Sequence, residues 1–349
     1  MSIDLSVVEG NYFRDLLDQP KALQDTLDGL NDSKQLSSLA RRLRQGKFQS
    51  VVLTGMGSSF HGLNPLLLKL TEAKVPVSLV ETSELIYYRR ALLDSKSLVV
   101  AVSQSGHSAE IIRLLEINRG RSPIIAVTNT ADSPLARRSQ TAILTRAGEE
   151  FSVSCKTYVS ALLALTFLGD QLCGVPLART RRELKSVLSP VAHYLAGWKQ
   201  HVEQLVEKLE GVRQLFLAGR GLSLAAVGTG ALILKESTQF PSEGMSSAAF
   251  RHGPFEMLGP ETFVLIFAGP SKTQSLNKRL FNDVCERKGR AEYVDHNSAA
   301  SPFALPRVPP ALLPVVEILP VEMMTLALAA VTGRQPGQFR FASKITSTE

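Results

Sequence analysis

The stretch Val99-Val-Ala-Val-Ser-Gln-Ser-Gly-His-Ser-Ala-Glu-Ile-Ile-Arg-Leu-Leu-Glu116 opens on four apolar residues and ends in a helical repeat of isoleucines and leucines. Between them stand Ser103, Gln104, Ser105, Gly106, His107 and Ser108. An apolar run with no alternation reads as a strand buried on both faces, the kind a parallel sheet needs. A helix start offers unpaired N–H groups and the positive end of its dipole, which together favour an anion. Hydroxyls and an amide add donors there without fixed charge. The stretch is either a phosphate cradle or a set of ordinary helix N-caps.

The surrounding chain repeats the strand-then-helix pattern. VVLTG (51–55), VPVSLVE (75–81), SLVVAVS (97–103), PIIAVTN (123–129) and TAILTR (141–146) are expected strands, with helices between them. This predicts a doubly wound α/β sheet. The pattern then recurs: LFLAGRGLSL (215–224) parallels VVLTGMGSSF (51–60), and VLIFAGPSKT (264–273) parallels VVAVSQSGHS (99–108). Two tandem parallel-sheet units of three layers, helix on sheet on helix, are therefore expected. Short helices over 1–45 lead into a first unit with a linking helical stretch over 46–195, and a second unit with the C-terminal tail follows over 196–349. The matching second loop, AGPSKT, carries fewer side-chain donors than SQSGHS, which places one anion site, in the first unit.

The 349 residues are 44% apolar and 20% charged, as in an ordinary globular protein. The net charge of +7 is dispersed, with no basic stripe interleaved with aromatics, so nucleic acid is not an expected partner. Cys155, Cys173 and Cys285 form no C-x-x-C pair, which fits reduced thiols in the cytoplasm. The N-terminus lacks a basic segment followed by an apolar core. The apolar stretch ALLPVVEILPVEMMTLALAAV holds Glu317, Glu322 and two prolines and reads as buried core, not as a membrane span.

Other residues carry possible chemistry. In GMGSS a third glycine is missing where Phe60 stands, which disfavours a dinucleotide and leaves Ser58 and Ser59 for phosphate or sugar contact, or for capping. Glu236 falls in LILKESTQF on a helical stripe with Leu232, Ile233 and Phe240. A carboxylate so placed is either a desolvated general base or an end-of-helix group reaching solvent. His252 precedes Gly253-Pro254, which ends a helix, and is either structural or part of a site. No His/Cys cluster has metal spacing, and no cofactor is implied.

Taken in order, LLDQPKALQDTL, GMGSS, ETSELIYYR, SQSGHSAE, GEEFSVSCKTY, GRG, LKES, RHGP and SKITSTE resemble the sugar isomerase (SIS) family. The resemblance is to the branch holding the isomerase half of glucosamine-6-phosphate synthase and stand-alone amino-sugar-6-phosphate deaminases and isomerases. It implies that Ser59, Ser103, Gln104, Ser105 and Ser108 hold the phosphate of a sugar 6-phosphate. It implies Glu236 as the base between C1 and C2, and His252 as the ring-opening group, donated across a homodimer interface to a shared site. Lys344 would sit near C1 or C2, with Gly57, Ser58, Val153 and Ser343 as further substrate contacts. The synthase's glutaminase half is not represented, so ammonia from glutamine is not expected. Ile233 stands where the synthase has lysine, His107 where it has glutamate and Ser108 where it has threonine. The expected activity is conversion of an amino-sugar 6-phosphate to a ketose 6-phosphate with release of ammonia. A plain aldose–ketose isomerase, a fructosamine-6-phosphate deaminase and a non-catalytic sugar-phosphate sensor are the alternatives.

Overall fold

The computed structural model describes residues 5–297, 301–341 and 343–344. They form two compact units interleaved along the chain, one from residues 21–149, 156–186 and the tail's Ser343 and Lys344, the other from 5–20, 150–155 and 187–341.

The first of these units is built on five parallel strands: β1 (Ser50–Gly55), β2 (Val77–Glu81), β3 (Ser97–Val102), β4 (Ile124–Thr128) and β5 (Thr141–Leu144), in the order β2-β1-β3-β4-β5. β3 is buried at every position, which is why its sequence shows no alternation. One face of the sheet presents Val52, Val99, Ala101, Ile124 and Ala126 to Leu85, Ile86, Ile111, Leu114 and Leu115 of the helices Thr82–Tyr87 and Ala109–Asn118. The long helix Lys156–Cys173 belongs to the same unit and packs on the helices Lys34–Arg44 and Asn64–Glu72. Lys69 of the latter forms an ion pair with Asp170, whose other carboxylate oxygen accepts from Thr180 at 2.7 Å.

The other unit carries four parallel strands, β6 (Gln214–Gly219), β7 (Ser242–Ser246), β8 (Thr262–Phe267) and β9 (Arg290–Val294), in the order β7-β6-β8-β9. Phe216, Ala218, Val264 and Ile266 pack against Phe250, Leu280 and Val284 on one face. On the other lie the helices Leu224–Thr238 and Leu313–Thr332. They come close because position 230 is glycine: a Cβ there would lie 2.7 Å from Leu217 Cδ2 and 3.2 Å from Val321 Cγ1. The segment Pro310–Thr332 is long and apolar enough to cross a membrane, but 94% of its 18-residue apolar window is buried within the protein, as the prolines and glutamates foretell. The tandem parallel-sheet architecture is thus the expected one. β7 and β9 were not foreseen, because SEGMS and RAEYV contain no apolar run.

Inside the apolar helix, Glu317 and Glu322 are wholly buried. Ser223 Oγ donates to Glu317 at 2.7 Å and Gln19 Nε2 to Glu322 at 2.7 Å. Desolvation, only partly offset by those bonds, pushes each carboxyl from its usual 4.5 to about 8. Both are therefore neutral acids through most of the physiological range.

Candidate active site

The strand order puts the reversal of winding between β1 and β3, where the connections leave in opposite directions and a crevice opens at the carboxyl ends. The register pairs Thr54 with Ala101, so Gly55 and Val102 end their strands at the same level. The two loops that follow are therefore brought side by side. A Cβ on Gly55 would lie 3.0 Å from the Val102 carbonyl oxygen and 3.1 Å from the Ser59 carbonyl carbon. Glycine is needed at this position for that approach. Gly57, with φ +52°, turns the chain into the short helix Gly57–His61, which carries Ser58 and Ser59 partly exposed.

The β3 loop is held by its own donors. Ser103 and Ser105 are almost fully buried. Ser103 Oγ accepts from the Gly106 N–H at 3.1 Å, and Ser105 Oγ accepts from the His107 N–H at 3.2 Å. Each of these hydroxyls keeps its own proton available to an acceptor. The Gln104 carbonyl accepts from Asn129 N at 3.0 Å and Thr128 Oγ1 at 3.1 Å, which fixes the loop to the end of β4. Gly106 has φ +65°, and a Cβ there would fall 2.3 Å from Ser133 Oγ. His107 Nδ1 lies 2.6 Å from the Ser105 carbonyl; a carbonyl only accepts, so this nitrogen carries the proton. Ser108 stands at the N-cap of Ala109–Asn118, yet its side chain makes no capping bond. By contrast Ser33, Ser133 and Ser246 all cap their helices through Oγ. The reading of these serines as plain caps therefore fails at Ser108, where the hydroxyl is left for another acceptor.

Asn129, Thr128 and Ser133 support the loop and were not picked out from sequence. Asn129 Oδ1 accepts from Thr145 Oγ1 at 2.9 Å and Ala147 N at 2.8 Å, while its amide donates to the Gly148 carbonyl at 2.7 Å. An Asn directly after a strand was the only available signal.

The remaining candidates divide between the units. Lys344 and Ser343 belong to the five-stranded unit, Lys344 half-buried and Ser343 exposed. Glu236, His252 and Val153 belong to the other unit. Glu236 is half-buried near the end of Leu224–Thr238. That helix closes at Thr238, with Gln239 in the left-handed region at φ 52°, so Phe240 is not on the Glu236 stripe and only Leu232 and Ile233 are. His252 is exposed on the turn after the helix Ser247–Phe250, and Gly253 beside it takes φ +130°. Val153 is 1% exposed, so neither its side chain nor its backbone presents appreciable surface in this structure. Cys155 is a buried thiol whose N–H donates to Glu150 at 3.0 Å.

Comparison with known proteins agrees with this architecture. The SIS domain model matches residues 43–169, the span that contains β1 to β5, both loops and most of the helix Lys156–Cys173. Nearly the whole chain is similar to the glutamine–fructose-6-phosphate aminotransferase (isomerizing) of Pyrococcus horikoshii, 27% identical over 96% of this chain and 57% of that protein. This chain thus spans less than two thirds of the length of such relatives. The C-terminal domain of glucosamine-fructose-6-phosphate aminotransferase from Francisella tularensis shares the fold, with TM-score 0.82, 23% identity and coverage of 95% and 98% of the two chains. So does glucosamine-6-phosphate deaminase from Thermotoga maritima, with TM-score 0.77, 18% identity and coverage of 97% and 100%.

Proposed function

We propose that this chain is a phosphosugar isomerase of the SIS type that acts on an amino-sugar 6-phosphate and releases ammonia. The observation that carries the reading is the pair of loops after β1 and β3, with Ser108 at a helix start making no cap and Ser103 and Ser105 oriented by bonds they accept. A neutral cradle of hydroxyls and N–H groups suits a phosphate that must be released after each turnover. The similarity to aminotransferase isomerase regions and to a deaminase supports the amino-sugar class.

In this reading glucosamine 6-phosphate and water give fructose 6-phosphate and ammonia. His252, from a second subunit, transfers the proton that opens the ring. Glu236 removes the proton from C2 and returns it to C1, which turns the amine-bearing carbon into an imine at C2. Water adds to that imine and ammonia leaves. Lys344, near C1 or C2, offers an alternative to direct hydrolysis: its amine adds to the imine and expels ammonia, and water then hydrolyses the lysine imine to the ketose and restores the free amine. No metal or organic cofactor enters the scheme. The expected setting is the cytoplasm, as a homodimer with shared sites.

Tagatose-6-phosphate ketose/aldose isomerase from Escherichia coli has the same fold, with TM-score 0.76 and 18% identity over 96% of this chain and 98% of that one, which favours plain aldose–ketose isomerisation as the second reading. Ammonia release measured across a panel of sugar 6-phosphates separates the two. Ammonia formed in step with fructose 6-phosphate supports the proposal. Ketose–aldose interconversion without ammonia establishes the second reading, and binding without turnover a sensor.

A further inference from the structure

One strongly charged cleft takes no part in this chemistry. Its volume is about 650 Å3, and Arg90, Arg113, Arg119, Arg121 and Arg138 line it. Against these five guanidiniums the lining sets one carboxylate, Glu116, already paired with Arg113 at 3.0 Å. Leu93 and Ile117 add an apolar wall. Arg138 is anchored by donating to the Leu115 carbonyl at 2.9 Å, and Arg90 by donating to the Ile86 carbonyl. A guanidinium has five donors, so each anchored group keeps others to offer. Among the described residues, no hydrogen bond or ion pair engages the Arg119 or Arg121 side chain.

Basic groups at a helix C-terminus are often explained by the helix dipole. That accounts for Arg119 and Arg121, which follow Ala109–Asn118, for Arg138, which donates to the Leu115 carbonyl in the last turn of that helix, and for Arg90, which donates to the Ile86 carbonyl in the last turn of Thr82–Tyr87. It does not account for their convergence on one concavity, which Arg113 from the body of Ala109–Asn118 also lines. Arg119 also occupies the left-handed C-cap, φ 47°, where glycine is the usual residue. Concentrating like charges in one concavity is unfavourable unless an anion compensates them.

We propose that this cleft binds a small molecule carrying two or more phosphate groups. Guanidinium forks match phosphate oxygens in pairs, the volume is that of a metabolite site, and the apolar wall accepts a carbon skeleton. A concave cluster suits a compact ligand better than the linear stripe that tracks nucleic acid. The site lies at the far end of the helix Ala109–Asn118 from the serine loop, about 15 Å away by helical rise. One helix thus separates two anion sites of different character, one neutral and one cationic.

The test is calorimetry of the full chain with inorganic tripolyphosphate, in a Ser105→Leu background so that the serine loop is blocked. Tripolyphosphate is expected to bind one equivalent. Arg119→Ala/Arg121→Ala weakens it at least ~10-fold with an unchanged melting temperature. Arg119→Lys/Arg121→Lys gives an intermediate loss, because charge stays and the fork goes. Arg182→Ala, an exposed arginine on another helix, leaves binding unchanged. Equal affinity in the double alanine variant overturns the proposal, as does an equal loss with Arg182→Ala, which indicates a diffuse field. Tighter binding of single-stranded RNA than of tripolyphosphate through the same arginines makes it a nucleic-acid site instead. Conversion of a dimer to a monomer by the double alanine variant in sedimentation makes it a subunit interface.

Discussion

After Gly55 and again after Gly219 the chain makes the same turn, with Gly57 at φ +52° and Gly221 at φ +60°. Each turn then delivers a serine to the start of a helical segment. In the first copy that serine is Ser59, partly exposed beside the end of β3. In the second it is Ser223, wholly buried and donating to Glu317 at 2.7 Å. The second pair of loops diverges in the same sense. Ser108 of the first copy makes no cap, whereas the second enters its helix Ser271–Glu286 from Pro270, and Asn277 turns back to bond the Phe267 and Ala268 carbonyls. One backbone scaffold therefore serves two ends. In the five-stranded unit Ser59 is partly exposed and Ser108 makes no cap; in the four-stranded unit Ser223 is absorbed into the interior.

In the proposed function anion binding falls to one unit and acid–base chemistry to the other, where Glu236 stands. The strongest consequence is at Glu236. Glu236→Gln keeps the shape and removes the base, so turnover should fall by roughly 10²–10⁴ with substrate affinity nearly kept. Exchange of the C2 hydrogen with solvent deuterium, followed by NMR, should vanish in parallel. Exchange persisting at the wild-type rate assigns the base to another residue. If His252 serves a neighbouring subunit, mixing Glu236→Gln with His252→Ala protein should restore part of the activity, because a mixed dimer can assemble one complete site.

The second copy is probed through stability. Ser223→Ala leaves the buried Glu317 without a donor and should destabilise the fold by about 1–3 kcal/mol in urea unfolding, while substrate affinity is unchanged. A loss of affinity instead would mean that the buried serine also serves the ligand. A smaller effect lies in pH. Glu317 and Glu322 ionise near 4.5 when unfolded and near 8 when folded. Between those values the unfolded chain binds fewer protons, so stability falls as pH rises from about 5 to 8 and levels off above it. Glu317→Gln/Glu322→Gln should flatten that dependence.

The sequence revealed the sheets wherever strands were buried on both faces. β1, β3, β4, β6 and β8 are continuous apolar runs and each has a neighbour on both sides. β2, β5, β7 and β9 all pair on one side only; VSLVE and TAIL keep an apolar majority and were legible, whereas SEGMS and RAEYV carry charged or small polar residues through the strand and lack the signal. β7 is instead seated by Gly244, where a Cβ would lie 2.3 Å from the Val227 carbonyl oxygen, a constraint that only the fold exposes. The serines were legible because small polar residues abruptly followed an apolar run. Their supports were not, since Asn129 and Ser133 sit on the next strand's loop and meet Gln104 and Gly106 only through folding. Glu317 and Glu322 signalled that the apolar helix is no membrane span, yet nothing local pointed to partners as distant as Ser223 and Gln19. The helical stripe argument placed Phe240 beside Glu236 by extending the helix past its actual end at Thr238.

Calorimetry of glucosamine 6-phosphate and of glucosamine against the wild type, Ser105→Leu and Ser223→Ala tests the division between the copies most directly. One phosphosugar should bind per chain, and the unphosphorylated sugar at least ~10-fold more weakly, a difference of about 1.4 kcal/mol or more. Ser105→Leu should erase that preference and Ser223→Ala should keep it. Equal affinity for the two sugars, two phosphosugars per chain, or an equal loss in both variants would contradict the account.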